Sequence, residues 1–197
     1  MTTAERAHAM ARRLEAAATE AGVPAEATPT LRTALLATLE KRAGRFPDEQ
    51  HPDFLHPART ALVLLHDTQL TEPHALAAAL LIDSEDVDLG FDAATAEPLV
   101  GSVAATIVGE VPIPATAGDS LAEALVTASE PALLIALVER LDHARHLHLR
   151  PTEHWPGFHD QILRVYAPIA ERTHPTLARR YRWWTSTFGR RYLGLEG

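Results

Sequence analysis

Residues 130–149 read EPALLIALVERLDHARHLHL, and this stretch decides the fold class of the chain. The proline in its first turn is well placed to begin a helix, and apolar residues then follow on every side as far as Val138. A helix that is apolar all round lies inside a protein rather than on its surface. Glu139 ends this apolar approach, so we expect its carboxylate to be partly buried and paired.

Helical periodicity continues on both sides of this stretch, and prolines and glycines separate the periodic segments. The pattern predicts helices over about 4–21, 28–43, 57–66, 73–82, 92–107, 155–172 and 174–193, with a short helix after Ser120. Paired strands are not predicted, which makes the fold all-α. We expect one domain overall, with a helix in residues 1–25 packed on a helical domain of residues 26–197.

The composition and the charge exclude or disfavour some kinds of site and partner. The chain has 197 residues and no cysteine, which excludes disulfides and thiol nucleophiles. Its formal net charge of −8 disfavours binding to extended nucleic acid. The basic, aromatic stretch 179–192 could stack on bases, but a terminal helix that buries its aromatic side chains and solvates its arginines is the favoured interpretation. No apolar run is long enough to span a bilayer and the N-terminus lacks a signal-peptide core, so we expect a cytoplasmic protein without a membrane partner.

Four segments carry a resemblance to a known family. Residues 52–61 read PDFLHPARTA, residues 77–86 read AAALLIDSED, residues 137–145 read LVERLDHAR, and residues 161–170 read QILRVYAPIA. In this order they resemble the signatures of the HD-domain alarmone hydrolases, which remove the 3′-pyrophosphate of (p)ppGpp. The resemblance covers roughly residues 30–185 and implies an HD-domain helical bundle.

The resemblance also implies a set of site residues. One divalent ion, usually manganese in this family, would be held by His56, Asp83 and Glu139, and it would make a nucleophile of a bound water. The acidic residues of the second segment would orient or deprotonate that water and handle the leaving group. Those residues are Glu85 and Asp86. A guanosine polyphosphate or a similar nucleotide would be the partner, and its predicted contacts are Arg42, Arg45, Arg140, Asp142 and His143.

The chain departs from the family pattern in its chemistry. Ile82 replaces the histidine of the His-Asp pair, and isoleucine cannot ligate a metal. Only Ser84 separates Asp83 from the Glu-Asp pair, where the family has two residues. Glu139 replaces an aspartate and is longer by one carbon–carbon bond, roughly 1.5 Å. A replacement imidazole could come from His143, because the i,i+4 spacing puts it on the same helix face as Glu139.

Other interpretations of these residues stay open. The acidic loop at residues 85–88 and the polar residues after Glu139 could be solvated surface, and the dipeptide His66-Asp67 is best explained as a helix end followed by a turn. The retained residues favour a phosphohydrolase with an altered single-metal site. The altered ones favour either an inactive relative that binds a nucleotide or protein partner, or a metal-free protein that uses the fold for something else. A homo-oligomer is compatible with each of these.

Overall fold

The computed structural model describes residues 3–46 and 52–195, and within those ranges the regular structure is helical without a strand. The prediction of an all-α fold is therefore confirmed. The α-helices, in chain order, are α1 (Thr3–Glu20), α2 (Thr28–Arg45), α3 (His56–Val63), α4 (Pro73–Leu81), α5 (Ala93–Glu110), α6 (Pro114–Ala117), α7 (Leu121–Thr127), α8 (Glu130–His146), α9 (Trp155–Gln161), α10 (Ala167–Thr173) and α11 (Pro175–Tyr192).

Two π-helical turns extend this pattern. Residues Leu64–Thr68 continue α3, and residues Ile162–Tyr166 join α9 to α10. The predicted helix over 57–66 is thus part α-helix and part π-helix, and so is the predicted helix over 155–172. Gln69 ends the first turn in the left-handed region with a φ of 56°.

Helices α4 and α8 form the centre of the molecule. Seven consecutive residues of α4, Ala75–Leu81, have no exposed surface. Four of the seven are alanines, and their small side chains let α2, α3, α5 and α8 pack closely against this helix. Helix α8 is buried from Ala136 to Ala144, as its all-round apolar sequence predicts. Any polar side chain on this part of α8 is therefore held in the protein interior.

The outer helices cover this centre. Helix α1 packs on α2 and α3, and α11 packs on α8 and α10. One aromatic face of α11 turns inward, because Tyr181, Trp184 and Phe188 are buried, while Trp183 is exposed and the arginines lie at the surface or at cavity edges. This arrangement matches the prediction of a terminal helix that buries its aromatic face.

Among the described residues no single helix has both the length and the apolarity needed to cross a bilayer, although the pair Ala93–Glu110 and Pro114–Thr127, bent by 51°, meets the length and composition criteria when taken together.

Candidate metal centre and adjoining cavity

Three helices bring the candidate ligands together. His56 is the first residue of α3, and the proline that follows it fits the first turn of a helix because its missing N–H needs no partner there. Asp83 lies two residues beyond the end of α4. Glu139 and His143 project from the same face of α8, one turn apart.

His56, Glu139 and His143 form a buried cluster that could hold a metal ion. One ligand atom from each residue lies within 4.8 Å of the other two. The Glu139 Oε1 atom is 2.8 Å from His143 Nε2 and 3.4 Å from His56 Nε2. The two imidazole rings stack with their centroids 4.1 Å apart. None of these side chains is more than 1% exposed, and the Nε2 atoms of both imidazoles face carboxylate oxygen.

Asp83 lies beside this cluster but is held by other partners. Its Oδ1 atom is 3.4 Å from His143 Nε2 and accepts hydrogen bonds from the backbone N–H groups of Glu85 and Asp86. Its Oδ2 atom accepts a hydrogen bond from the fully buried Arg42 at 2.5 Å. Arg42 also donates to the carbonyl oxygen of Asp53. Asp83 is thus a neighbour of the cluster that is neutralised by an arginine from α2.

Further hydrogen bonds fix the orientation of the ligands. His56 Nδ1 lies 2.8 Å from Asp142 Oδ2, and Asp142 in turn accepts two hydrogen bonds from Arg59 Nε and one from Arg59 Nη2. Ser84 donates to both carboxylate oxygens of Glu139, through its backbone N–H at 2.8 Å and through its hydroxyl. A carboxylate on the far nitrogen of a histidine is the usual support for a metal-binding imidazole, because it turns the other nitrogen toward the ion.

The electrostatics of the cluster follow from burial and pairing. Burial raises the pKa values of Glu139 and Asp83, but the two imidazoles outweigh it and hold both well below their usual range. The pKa of Asp142 is also held below its usual range, because His56 and Arg59 outweigh the effect of burial. Burial lowers the pKa of His143, yet the carboxylates of Glu139 and Asp83 outweigh it and raise that pKa to about 10. The cluster therefore places a cation between carboxylates.

A cavity of about 790 Å³ opens next to the cluster, and Asp83 belongs to its wall. Arg140 is part of this wall. Its guanidinium pairs with Glu85, donates a hydrogen bond to Gln161 and lies over the Phe158 ring, with Cζ 3.6 Å from the ring centroid. The charged lining also includes the last residue of α2 and residues from the segments that follow α2, α4 and α8. These are Arg45, Asp53, Asp86 and Arg150.

Arg150 joins the cavity to the cluster. Its guanidinium lies 3.1 Å from Glu85 Oε2, 3.5 Å from Asp53 Oδ2 and 3.1 Å from His143 Nδ1. Glu85 is consequently held between two arginines, Arg140 and Arg150. Guanidinium groups match the geometry of phosphate oxygens, so this wall has the chemistry of a phosphate-binding surface.

The structure places the predicted site residues in three groups. His56 and Glu139 lie in the cluster, and His143, predicted mainly as a nucleotide contact, joins them as the second imidazole. The cavity lining contains Arg45, Asp83, Glu85, Asp86 and Arg140. Arg42 and Asp142, both predicted as nucleotide contacts, are buried outside that lining, where they hold Asp83 and His56. Their observed positions give them supporting rather than contacting roles.

Ile82, which replaces a histidine of the family pattern, lines a second cavity together with Asp83. The cluster takes its second imidazole from α8, at His143. Sequence reasoning also missed Arg59, Ser84, Arg150 and Gln161. Arg59 could have been found from its i,i+3 spacing from His56, which puts the two residues on one helix face. As expected, His66 and Asp67 are not part of the cluster.

Comparison of the sequence with protein-family models gives no match, and comparison with curated proteins also gives none. The function must therefore be argued from the site itself.

Proposed function

We propose that this protein is a metal-dependent phosphohydrolase that cleaves a pyrophosphate from a nucleotide of the guanosine polyphosphate type. The observation that carries the proposal is the buried convergence of two imidazole nitrogens, His56 Nε2 and His143 Nε2, on one oxygen of Glu139. In the metal-free protein the protonated His143 supplies the positive charge among the carboxylates, and a divalent ion held by the same three residues would take its place as the proton is released.

The donor set fits a divalent transition metal. Two imidazoles and a carboxylate are the ligands used by many catalytic metal sites, and Asp83 offers a further oxygen at the cavity wall. Manganese is the ion that the resemblance to HD-domain alarmone hydrolases implies. When bound, such an ion lowers the pKa of a water and makes it a nucleophile near neutral pH.

The cavity residues supply binding and proton transfer in this proposal. A phosphate group entering the cavity competes with Glu85 for Arg140 and Arg150, because both arginines pair with that carboxylate. The arginines then neutralise the charge of the substrate, and the released Glu85 can accept a proton from the attacking water. Asp86 faces the same cavity next to Arg45, where it can orient the leaving pyrophosphate through that arginine.

One observation favours a second candidate function. Arg42 holds Asp83 in a buried ion pair. The positive charge of Arg42 repels a metal ion that would bind next to the same carboxylate. If that pair persists in the working protein, the cavity binds a nucleotide or a protein partner without hydrolysing anything. The chain would then be an inactive relative with a regulatory role.

The deciding experiment measures metal content and hydrolysis on the same samples. Purified protein would be analysed for bound metal, titrated with Mn²⁺ by calorimetry, and incubated with a panel of guanosine and adenosine polyphosphates. We expect one ion per chain and release of pyrophosphate. We expect His143→Ala to lose both properties, whereas His148→Ala, which changes an exposed histidine near the same cavity, keeps them.

Each other result has a defined meaning. Metal binding without hydrolysis of any nucleotide would reject the enzyme and support the binding role. Absence of stoichiometric metal in the wild-type protein, together with hydrolysis that survives His143→Ala, would reject the metal centre.

A further inference from the structure

A second charged cavity lies on the other side of Arg59 from the cluster. It encloses about 340 Å³ where α1, α3, α8 and α11 meet. Four arginines line it, Arg13, Arg59, Arg145 and Arg180, against a single carboxylate, that of Asp67. In a chain with a formal net charge of −8, this concentration of positive charge is unexpected for a solvated surface.

The arginines differ in how far the protein satisfies them. Arg180 pairs with Asp67, and Arg59 pairs with Asp142 behind the cavity. Arg145 is half-buried on α8 and makes no hydrogen bond or ion pair within the described residues. Burial and the guanidinium groups of Arg180 and Arg59 lower the pKa of Arg145 more than the carboxylates of Asp142 and Asp67 raise it, so the fold carries this charge at a cost. An anion in the cavity would remove that cost.

Part of the cavity wall is apolar, and this apolar wall consists of Met10, Leu55, Leu62 and Val63. The volume lies at the small end of the range for ligand pockets, about 300–1,000 Å³. A ligand that fits both the arginines and the apolar wall has a doubly charged head and a small apolar body.

We propose that this cavity binds a phosphate monoester of a small apolar group, with its phosphate on Arg145 and Arg180 and its organic group on the apolar wall. Arginine is suited to the phosphate because its planar N–H groups donate to two oxygens at once. The site is separate from the phosphohydrolase cavity, and it stands whether or not that enzyme activity exists.

The test uses phenyl phosphate and inorganic phosphate as probes, titrated by calorimetry into metal-free protein. The background variant Arg150→Met removes an arginine of the first cavity, so that its anion binding is suppressed. In this background we expect one site for phenyl phosphate, with an affinity at least about tenfold higher than for inorganic phosphate, because the ring gains apolar contacts. Adding Arg145→Met should weaken the binding of phenyl phosphate by about tenfold or more, since one charge-assisted bond is lost.

Two further variants keep the result interpretable. Arg179→Met removes the same charge from an exposed neighbour on α11 that does not line the cavity, and it should leave binding unchanged. Arg13→Met lies at an exposed position of the cavity, where substitution does not endanger folding, and it should also weaken binding. The proposal would be overturned by equal affinity for the two probes or by no binding of either. It would also be overturned if neither Arg145→Met nor Arg13→Met weakened binding.

Discussion

Arg42 and Asp83 form a buried ion pair beside the candidate metal centre. Both side chains are at most 2% exposed, and their nearest atoms are 2.5 Å apart. Taking two charges out of water is costly, and the pair compensates for that cost only while both partners are present. Asp83 also accepts two backbone N–H bonds, so it anchors the loop that carries Glu85 and Asp86.

Removal of Arg42 should therefore cost far more stability than removal of its exposed neighbour. Arg42→Met leaves the Asp83 carboxylate buried without its partner, and we expect the free energy of unfolding to fall by about 3–5 kcal/mol. Arg45→Met is the control, because the side chain of Arg45 is 61% exposed and its pair with Asp86 lies at the surface. Urea unfolding of both variants measures the difference, and equal losses would contradict a structural role for Arg42.

Asp142 should act on metal binding through His56. Asp142→Asn keeps the size of the side chain but removes the charge that orients the imidazole and pairs with Arg59. We expect the affinity for Mn²⁺ to fall by about 10–100-fold, the usual effect of losing such a partner. Asp160→Asn, on an exposed surface pair, should leave the affinity unchanged. Calorimetric titration compares the two variants, and an unchanged affinity in Asp142→Asn would exclude this role.

The sequence predicted which residues lie in the cluster better than how they pair. His56 and Glu139 were named from the resemblance, and the all-apolar helical approach to Glu139 separately indicated that its carboxylate is buried. His143 could be named only as an alternative, by its spacing from Glu139. The pairing of Asp83 with Arg42 could not be foreseen, since it joins residues on different helices and depends on how α2 packs against α4.

At the scale of elements, helix starts were predictable and interruptions were not. Prolines in the first turn mark α2, α3, α4, α8 and α11, and the local sequence alone is enough to place these starts. The π-turn after α9 has no such marker. It lies beside Arg140, whose guanidinium faces the ring of Tyr166 within that turn, so tertiary contacts accompany the irregularity.

Helix α4 offers a test of a local stabilising contact. Glu72 precedes it, and its carboxylate accepts hydrogen bonds from the N–H groups of His74 and Ala75. Glu72→Ala removes this cap, and we expect a loss of about 1 kcal/mol in the free energy of unfolding. Glu97→Ala, at an exposed position within α5, serves as the control and should have little effect. Thermal and urea unfolding together would show whether the central helix depends on this contact.

At the scale of the whole molecule, the buried charges predict how stability depends on pH. Folding raises the pKa of His143 from 6.5 to about 10. Its contribution to the stability of the metal-free protein is therefore complete below pH 6.5 and is lost as the pH rises through 10. The carboxylates of Glu139, Asp83 and Asp142 have lowered pKa values, so their contribution is present above the unfolded values and is lost as the pH falls into the acid range.

We thus expect the urea midpoint of metal-free protein to decline on both sides of a plateau in the weakly acid range. His143→Gln should flatten the alkaline decline between pH 7 and pH 10, because the amide does not titrate. It should leave the slope below pH 4 less changed. An alkaline decline that is as steep in His143→Gln as in wild type would assign it to other groups.

The position of the two imidazoles along the chain has a consequence for folding. His56 and His143 belong to helices that are far apart in the sequence, and their rings meet only when α3 and α8 have docked. An ion bound to both nitrogens closes the long loop between them, and the unfolded chain has no comparable site. Each tenfold excess of free metal over its dissociation constant then adds about 1.4 kcal/mol to the free energy of unfolding. If the cluster binds an ion as proposed, metal supply would thereby change the stability of the folded protein.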